Sequence, residues 1–84
     1  MAVSDDEIFE FIRAQAHEVL DVDPAEITPE ASLARDFDAD SIDVIEIASA
    51  AERTYDVTIE DHEVYDLTCV ADFVALIARK LAAQ

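Results

Sequence analysis

Glycine is missing altogether from this chain of 84 residues, and proline occurs only twice, as Pro24 and Pro29. Both prolines fall in one stretch, which marks the main connection and leaves the segments on either side free to be helical. A single cysteine, Cys69, excludes an internal disulfide and suits a reducing cytoplasm. No run of 18 apolar residues occurs, so no transmembrane helix is expected. The start, MAVSDDEIFEF, is acidic and has no cationic region, which excludes a secretory signal. No stretch alternates with period two over a useful length, so a sheet is not expected. No internal repeat and no low-complexity segment is present.

Positive charge is scarce. Five basic residues stand against 21 acidic ones, for a formal net charge of -16. Nucleic acid is thereby excluded as a partner, because binding it requires cations that displace counterions. An anionic membrane surface is excluded for the same reason. Basic protein surfaces are the fitting partners, since complementary charge speeds encounter. The hydrophobic content of 52% is too high for a disordered acidic chain. The length allows one domain, residues 1–84, too small to build a catalytic cavity with its own supporting shell. A monomeric carrier, adaptor or regulator that is not itself an enzyme is expected.

The apolar pattern predicts helices. Ser4 with Glu7 forms a capping-box pattern, followed by Ile8, Phe11, Ile12 and Val19 at helical spacing, so a first helix should end near Leu20. Asp21 to Asp40 reads as a long loop anchored by Val22, Ile27, Leu33 and Phe37, unusual enough in a small domain to point to function. A second helix is predicted from about Ser41 to Tyr55. Val44, Ile47, Ala48, Ala51 and Tyr55 form its buried face, and Asp43, Glu46, Ala50 and Arg53 lie opposite. A short helical turn is expected within Asp61–Asp66. The last helix should begin around Thr68 as N-cap, bury Val70, Phe73, Val74, Ile77 and Leu81, and end with Arg79 and Lys80 at the negative end of its dipole. The fold class is therefore all-α: a bundle of three longer helices and one short one, with a long first connection.

The informative stretch is DFDADSIDVIEI, Asp36 to Ile47, where the loop meets the second helix. Ser41 falls at or beside that helix start. A phosphodiester on its hydroxyl would face free backbone amides and the positive end of the dipole. The plain alternative is that Ser41 only caps the helix. Ile42, Asp43, Glu46, Ser49 and Arg53 share one exposed face by helical spacing. From Asp36 to Asp66 the only Lys or Arg is Arg53, against 11 acids. Asp36, Asp38 and Asp40 have the 1-3-5 spacing of a calcium loop, but its sixth position, a required glycine, is Ser41, and its twelfth, a required glutamate, is Ile47. His17 and His62 read as exposed helix residues without zinc spacing. Cys69, in the first turn of the last helix, reads as structural.

Asp40-Ser41-Ile42, at a helix start after a long loop in a very acidic chain, resembles the Asp-Ser-Leu attachment motif of acyl carrier proteins. The likeness extends over nearly the whole chain from Ile8 onward, through Ala31-Ser32-Leu33, Asp36-Phe37, Glu46, Tyr55-Asp56, Ile59, Leu67 and Val70. It implies a free-standing, bacterial-type four-helix bundle. It also implies a cofactor, 4'-phosphopantetheine, moved from coenzyme A onto Ser41 by a phosphopantetheinyl transferase, with Asp40 and Ile42 completing the motif. Acyl cargo would ride on the arm as a thioester. Ile42, Asp43, Glu46, Ser49 and Arg53 would meet acyl-transfer, ketosynthase or other pathway enzymes through their basic docking surfaces. Leu33, Val44, Ile47, Ala51, Ile59, Leu67 and Phe73 would line a cavity for the cargo.

Departures from the family pattern qualify the pathway. Asp38 stands where glycine is usual, and Glu60 where proline is usual before the short helix. On the second helix, Ser49 replaces a bulky apolar residue, Ala51 a leucine and Arg53 an acid. That face is less apolar and less acidic than in the fatty-acid housekeeping type, so a dedicated polyketide, lipid or other secondary pathway is at least as consistent. A peptidyl or aminoacyl carrier is a close variant, against which the acidity and Asp40 speak weakly. The alternative from a different class is an unmodified acidic interaction module, able to bind a divalent metal, with Ser41 only a cap.

Overall fold

The computed structural model describes residues 3–84. Its helices are α1 (Asp5–Leu20), α2 (Leu33–Phe37), α3 (Ser41–Tyr55), α4 (Asp61–Tyr65) and α5 (Val70–Ala82), with a 3-10 turn at Pro24–Glu26. No strand occurs among the described residues. The all-α bundle expected from the periodicity is therefore found. The three long helices are α1, α3 and α5. The connection between α1 and α3 is more structured than a loop, since the 3-10 turn and α2 lie within it. Asp23 and Ser32 start these two pieces: Asp23 Oδ1 accepts the N–H of Ala25 at 2.9 Å, and Ser32 Oγ accepts that of Arg35 at 3.2 Å. Such short capped turns leave too few apolar repeats to show as periodicity.

The long helices pack around a single apolar seam, with α1 against both α5 and α3. Ile8, Ile12 and Ala16 of α1, Ile47 and Ala51 of α3, and Phe73 and Ile77 of α5 are all at most 1% exposed. Each large side chain buried in this way contributes about 1.5–3 kcal/mol of apolar transfer. Ile27 (buried) and Val22 and Phe37 (half-buried) pin the connection to this core, as their scattered apolar character predicts. One assignment on α3 is corrected. Ala50, placed on the outer face by spacing, is 6% exposed, although it does not join the main core. A lone methyl projects too little to reach solvent past longer neighbours.

The helix ends explain how a chain without glycine turns. α1, α2 and α3 are closed by Asp21, Asp38 and Asp56, with φ of 56°, 58° and 54°. Left-handed closure usually falls to glycine, and aspartate is among the few side chains that tolerate it. Asp38, flagged in the sequence for standing in a glycine position, does take this conformation.

Two predicted caps differ. Ser4 Oγ accepts the Glu7 N–H at 3.2 Å, but only this half of the capping box forms. The N-cap of α5 is Cys69 rather than Thr68, with no side-chain cap bond. The amides that a threonine would have served are taken by carbonyls of the connection: Val70 N–H donates to Ala31 at 2.9 Å and Ala71 N–H to Pro29 at 2.8 Å. These two bonds fasten the start of α5 to the segment just before α2, which places both beside the start of α3.

Candidate functional site

Ser41 is the first residue of α3, and its N-cap is Asp40. Asp40 Oδ1 accepts the Asp43 N–H at 2.9 Å, and Asp43 Oδ2 accepts the Asp40 N–H at 3.2 Å. This reciprocal pair overturns the reading of Ser41 as the cap. The Ser41 side chain is exposed and makes no hydrogen bond among the described residues. The N–H groups of Ser41 and Ile42, in the first turn, also find no acceptor among those residues. A phosphodiester at Ser41 would therefore meet two free donors and the positive end of a 15-residue helix. The donor set fits the phosphate of phosphopantetheine. Asp40 and Asp43 oppose it by charge, and their carboxylates are already engaged with backbone amides.

The acids with calcium-loop spacing serve as punctuation instead. Asp36 Oδ2 accepts the Ser32 N–H at 2.8 Å, Asp38 closes α2 in the left-handed region, and Asp40 caps α3. No group of three or more His, Cys, Asp or Glu among the described residues is arranged to hold a metal ion. His17 and His62 are both exposed, as expected. His17 sits in the last turn of α1, where its Nδ1 lies 2.9 Å from the Val22 carbonyl.

A cleft of about 220 Å³ opens beside Ser41. Asp40, Ser41 and Val44 form its α3 side, and Leu33 with Ala39 extends that wall. The facing side comes from Val64 and Tyr65 of α4, Leu67 and Cys69 of the connector, and Phe73 of α5. The structure thus brings Leu33, Val44, Leu67 and Phe73 together at the cleft, four of the seven positions expected to line a cavity. The other three do not line it. Ile47 and Ala51 are fully buried and Ile59 is 6% exposed, all packed in the closed core. Helical spacing identifies a buried face but cannot separate residues that close the core from those that border a gap at its end.

Val64, Tyr65 and Cys69 were missed as cleft residues. The available signal was Tyr65 itself, a large aromatic outside any buried register.

The wall formed by α4 is tethered. Lys80 Nζ donates to Glu63 Oε1 at 2.8 Å, and the same oxygen accepts the Glu60 N–H at 3.0 Å. These bonds hold the Glu63 carboxyl below its ordinary range, the Lys80 bond most of all. Glu60, which replaces the usual proline, thus starts α4 by donating its N–H to Glu63.

On the outer face of α3, Ile42 is 67% exposed, Glu46 and Arg53 are exposed, and Asp43 and Ser49 are half-exposed. The five share one face, as the spacing implies. Arg53 forms no ion pair among the described residues.

A family model described as a phosphopantetheine attachment site matches residues 10–77. An acyl carrier protein of Thermosynechococcus vestitus is 42% identical over 77 residues, which cover 92% of this chain and 95% of the relative. A meromycolate extension acyl carrier protein of Mycobacterium leprae is 40% identical over 79 residues, covering 94% of this chain and 69% of the relative. Among solved structures, the HMG-ACPI domain from the CurA module of Lyngbya majuscula superposes with a TM-score of 0.83 at 25% identity, covering 99% of this chain and 83% of that one. No helix of the described residues is long and apolar enough to cross a membrane.

Proposed function

This chain belongs to the acyl carrier protein family, whose cofactor is phosphopantetheine, and from that premise we propose that Ser41 is the attachment residue and that the cargo serves a specialised acyl pathway. The single observation that carries the first part is the division of labour at the start of α3. Asp40 caps the helix, so the Ser41 hydroxyl is exposed at the cleft rim beside two unused amides. When bound, the arm supplies a terminal thiol that holds an acyl group as a thioester.

The residues of the chain then have distinct tasks. Asp40 and Asp43 fix the helix start and so the direction in which Ser41 points. The free amides of Ser41 and Ile42 stabilise the phosphate. Leu33, Val44, Leu67 and Phe73 give cargo or arm an apolar surface when no partner is engaged. Members of this family are served by a phosphopantetheinyl transferase and meet pathway enzymes. Here those enzymes dock on Ile42, Asp43, Glu46, Ser49 and Arg53 through basic surfaces, since rim charges of opposite sign speed association.

Two features support the specialised pathway. Arg53 interrupts the acidic docking face and Ser49 lowers its apolar content, whereas Ala51, fully buried, is not part of that face. A relative at 40% identity is named for meromycolate extension.

The test is peptide mapping. Trypsin releases Asp36–Arg53, which contains both Ser41 and Ser49. Fragmentation of the modified peptide should place the added mass on Ser41. Mass found on Ser49 would refute the assignment.

A further inference from the structure

Among the described residues, Ile42 and Tyr65 are the large apolar side chains left exposed, at 67% and 61%. Ile42 adjoins Ser41 on the docking face of α3. Tyr65 is on another helix and is not part of that face. It is the last residue of α4 and borders the cleft across from Asp40 and Ser41. The other tyrosine is accounted for internally. Tyr55 packs edge-on against Phe11 with ring centroids 5.2 Å apart, and burial raises its pKa. Tyr65 has no aromatic or hydrogen-bonding partner among the described residues.

An exposed ring beside an apolar cleft is suited to a ligand that covers it. A tyrosine ring has an apolar body and a polar tip, so it matches a chain that alternates alkyl groups with amides. A pantetheine arm has that composition, with methylenes, a geminal dimethyl group and two amides. Its amide portion is neutral, so the one carboxylate that lines the cleft, Asp40, offers it no charge pairing. The rest of the lining is mostly apolar, with Ser32, Thr68 and Cys69 among it, and Phe73 of α5, 1% exposed, is its one other aromatic residue.

We infer that Tyr65 is a positioning residue for the arm: its ring covers the pantetheine chain at the mouth of the cleft, and its hydroxyl bonds an arm amide. This rests on Ser41 as the attachment residue. It assigns to α4 a role in holding the cofactor that is separate from docking on α3.

The experiment uses the full chain in apo and holo forms, each verified by intact mass. In isotope-labelled holo protein, nuclear Overhauser contacts should join the Tyr65 ring protons to the geminal methyls of the arm. In a Tyr55→Phe variant, which keeps an aromatic ring against Phe11, Tyr65 is the only tyrosine fluorophore. Acrylamide is uncharged, so the net charge of -16 does not bias its approach. Its quenching of Tyr65 should fall at least about twofold from apo to holo, as expected when a ring face is covered. A holo protein of correct mass with neither the contacts nor the loss of quenching overturns the inference and leaves Ser41 as the attachment residue. A chain that takes no arm at Ser41 overturns both.

Discussion

The carboxylates of Asp40 and Asp43 cap each other's backbone amides, at 2.9 Å and 3.2 Å, with Ser41 held between them and using neither. The motif therefore separates helix capping from the modification proposed at Ser41. Asp40→Ala should lower stability by about 1 kcal/mol, the usual cost of an N-cap. Ser41→Ala should leave stability within about 0.5 kcal/mol of wild type, as for an exposed substitution away from caps and core. Chemical denaturation of the two apo variants checks both. Equal losses would mean that Ser41 shares in capping.

The left-handed aspartates predict an easy stabilisation. Asp21 closes α1 at φ 56° and adds negative charge to the negative end of the helix dipole. Asp21→Gly should relieve both and raise stability by about 0.5–1 kcal/mol, after the greater freedom of glycine in the unfolded chain is counted. Asp21→Asn, which removes only the charge, should fall between the two. Thermal melts would test the order, and a destabilised glycine variant would contradict it.

Much of this was legible beforehand, for physical reasons. Helix α3 is bounded by an apolar repeat with clear starts and stops, so the range Ser41 to Tyr55 read from spacing is the range observed. The position of Ser41 followed from the same boundary. The cap of α5 was not legible, because Val70 and Ala71 donate to carbonyls some 40 residues earlier in the chain. Long-range backbone pairing leaves no local pattern. The cleft was half legible for a similar reason. Phe73 is apolar at helical spacing like Ile47, and Leu33 is a scattered apolar residue of the connection like Ile27, but only the packing of α2 and α4 decides which of them border a gap.

Charge repulsion should make the fold sensitive to salt. With a net charge of -16 on a small bundle, screening relieves self-repulsion. The melting temperature should rise with added NaCl, or with millimolar Mg²⁺, from a low-salt baseline. A melting temperature that does not move would contradict the claim.

The Lys80–Glu63 link should give a pH signature. The pKa of Glu63 is lowered in the folded state, so its contribution to stability is present above the unfolded value and is lost as pH falls through the folded one. Lys80→Met removes that contribution. The difference in melting temperature between wild type and Lys80→Met should be largest near neutral pH and should close on acidification. Taking the difference cancels the relief of carboxylate repulsion common to both proteins. A gap that stays constant down to low pH would show that packing of the Lys80 stem, not the ion pair, accounts for the effect.

Arg53 should discriminate partners. Arg53→Glu places an acid on the exposed face of α3 proposed for docking and should improve use of the holo carrier by a general fatty-acid synthase enzyme, whereas Glu46→Lys should weaken docking by the carrier's own partners. The changes should be on the order of 1 kcal/mol or less, because these charges are solvent-exposed, and should fade with salt. Steady-state kinetics at low salt reads the first effect. No change in apparent kcat/KM for Arg53→Glu would remove the main support for a specialised pathway.

The most direct test of the central claim is the intact mass of the apo protein after incubation with coenzyme A and a broad-range phosphopantetheinyl transferase. Wild type should gain the mass of one arm and Asp40→Asn should still be labelled, while Ser41→Ala should gain nothing. Labelling of Ser41→Ala, or a wild type that stays unmodified while a known carrier in the same reaction is converted, would contradict the account.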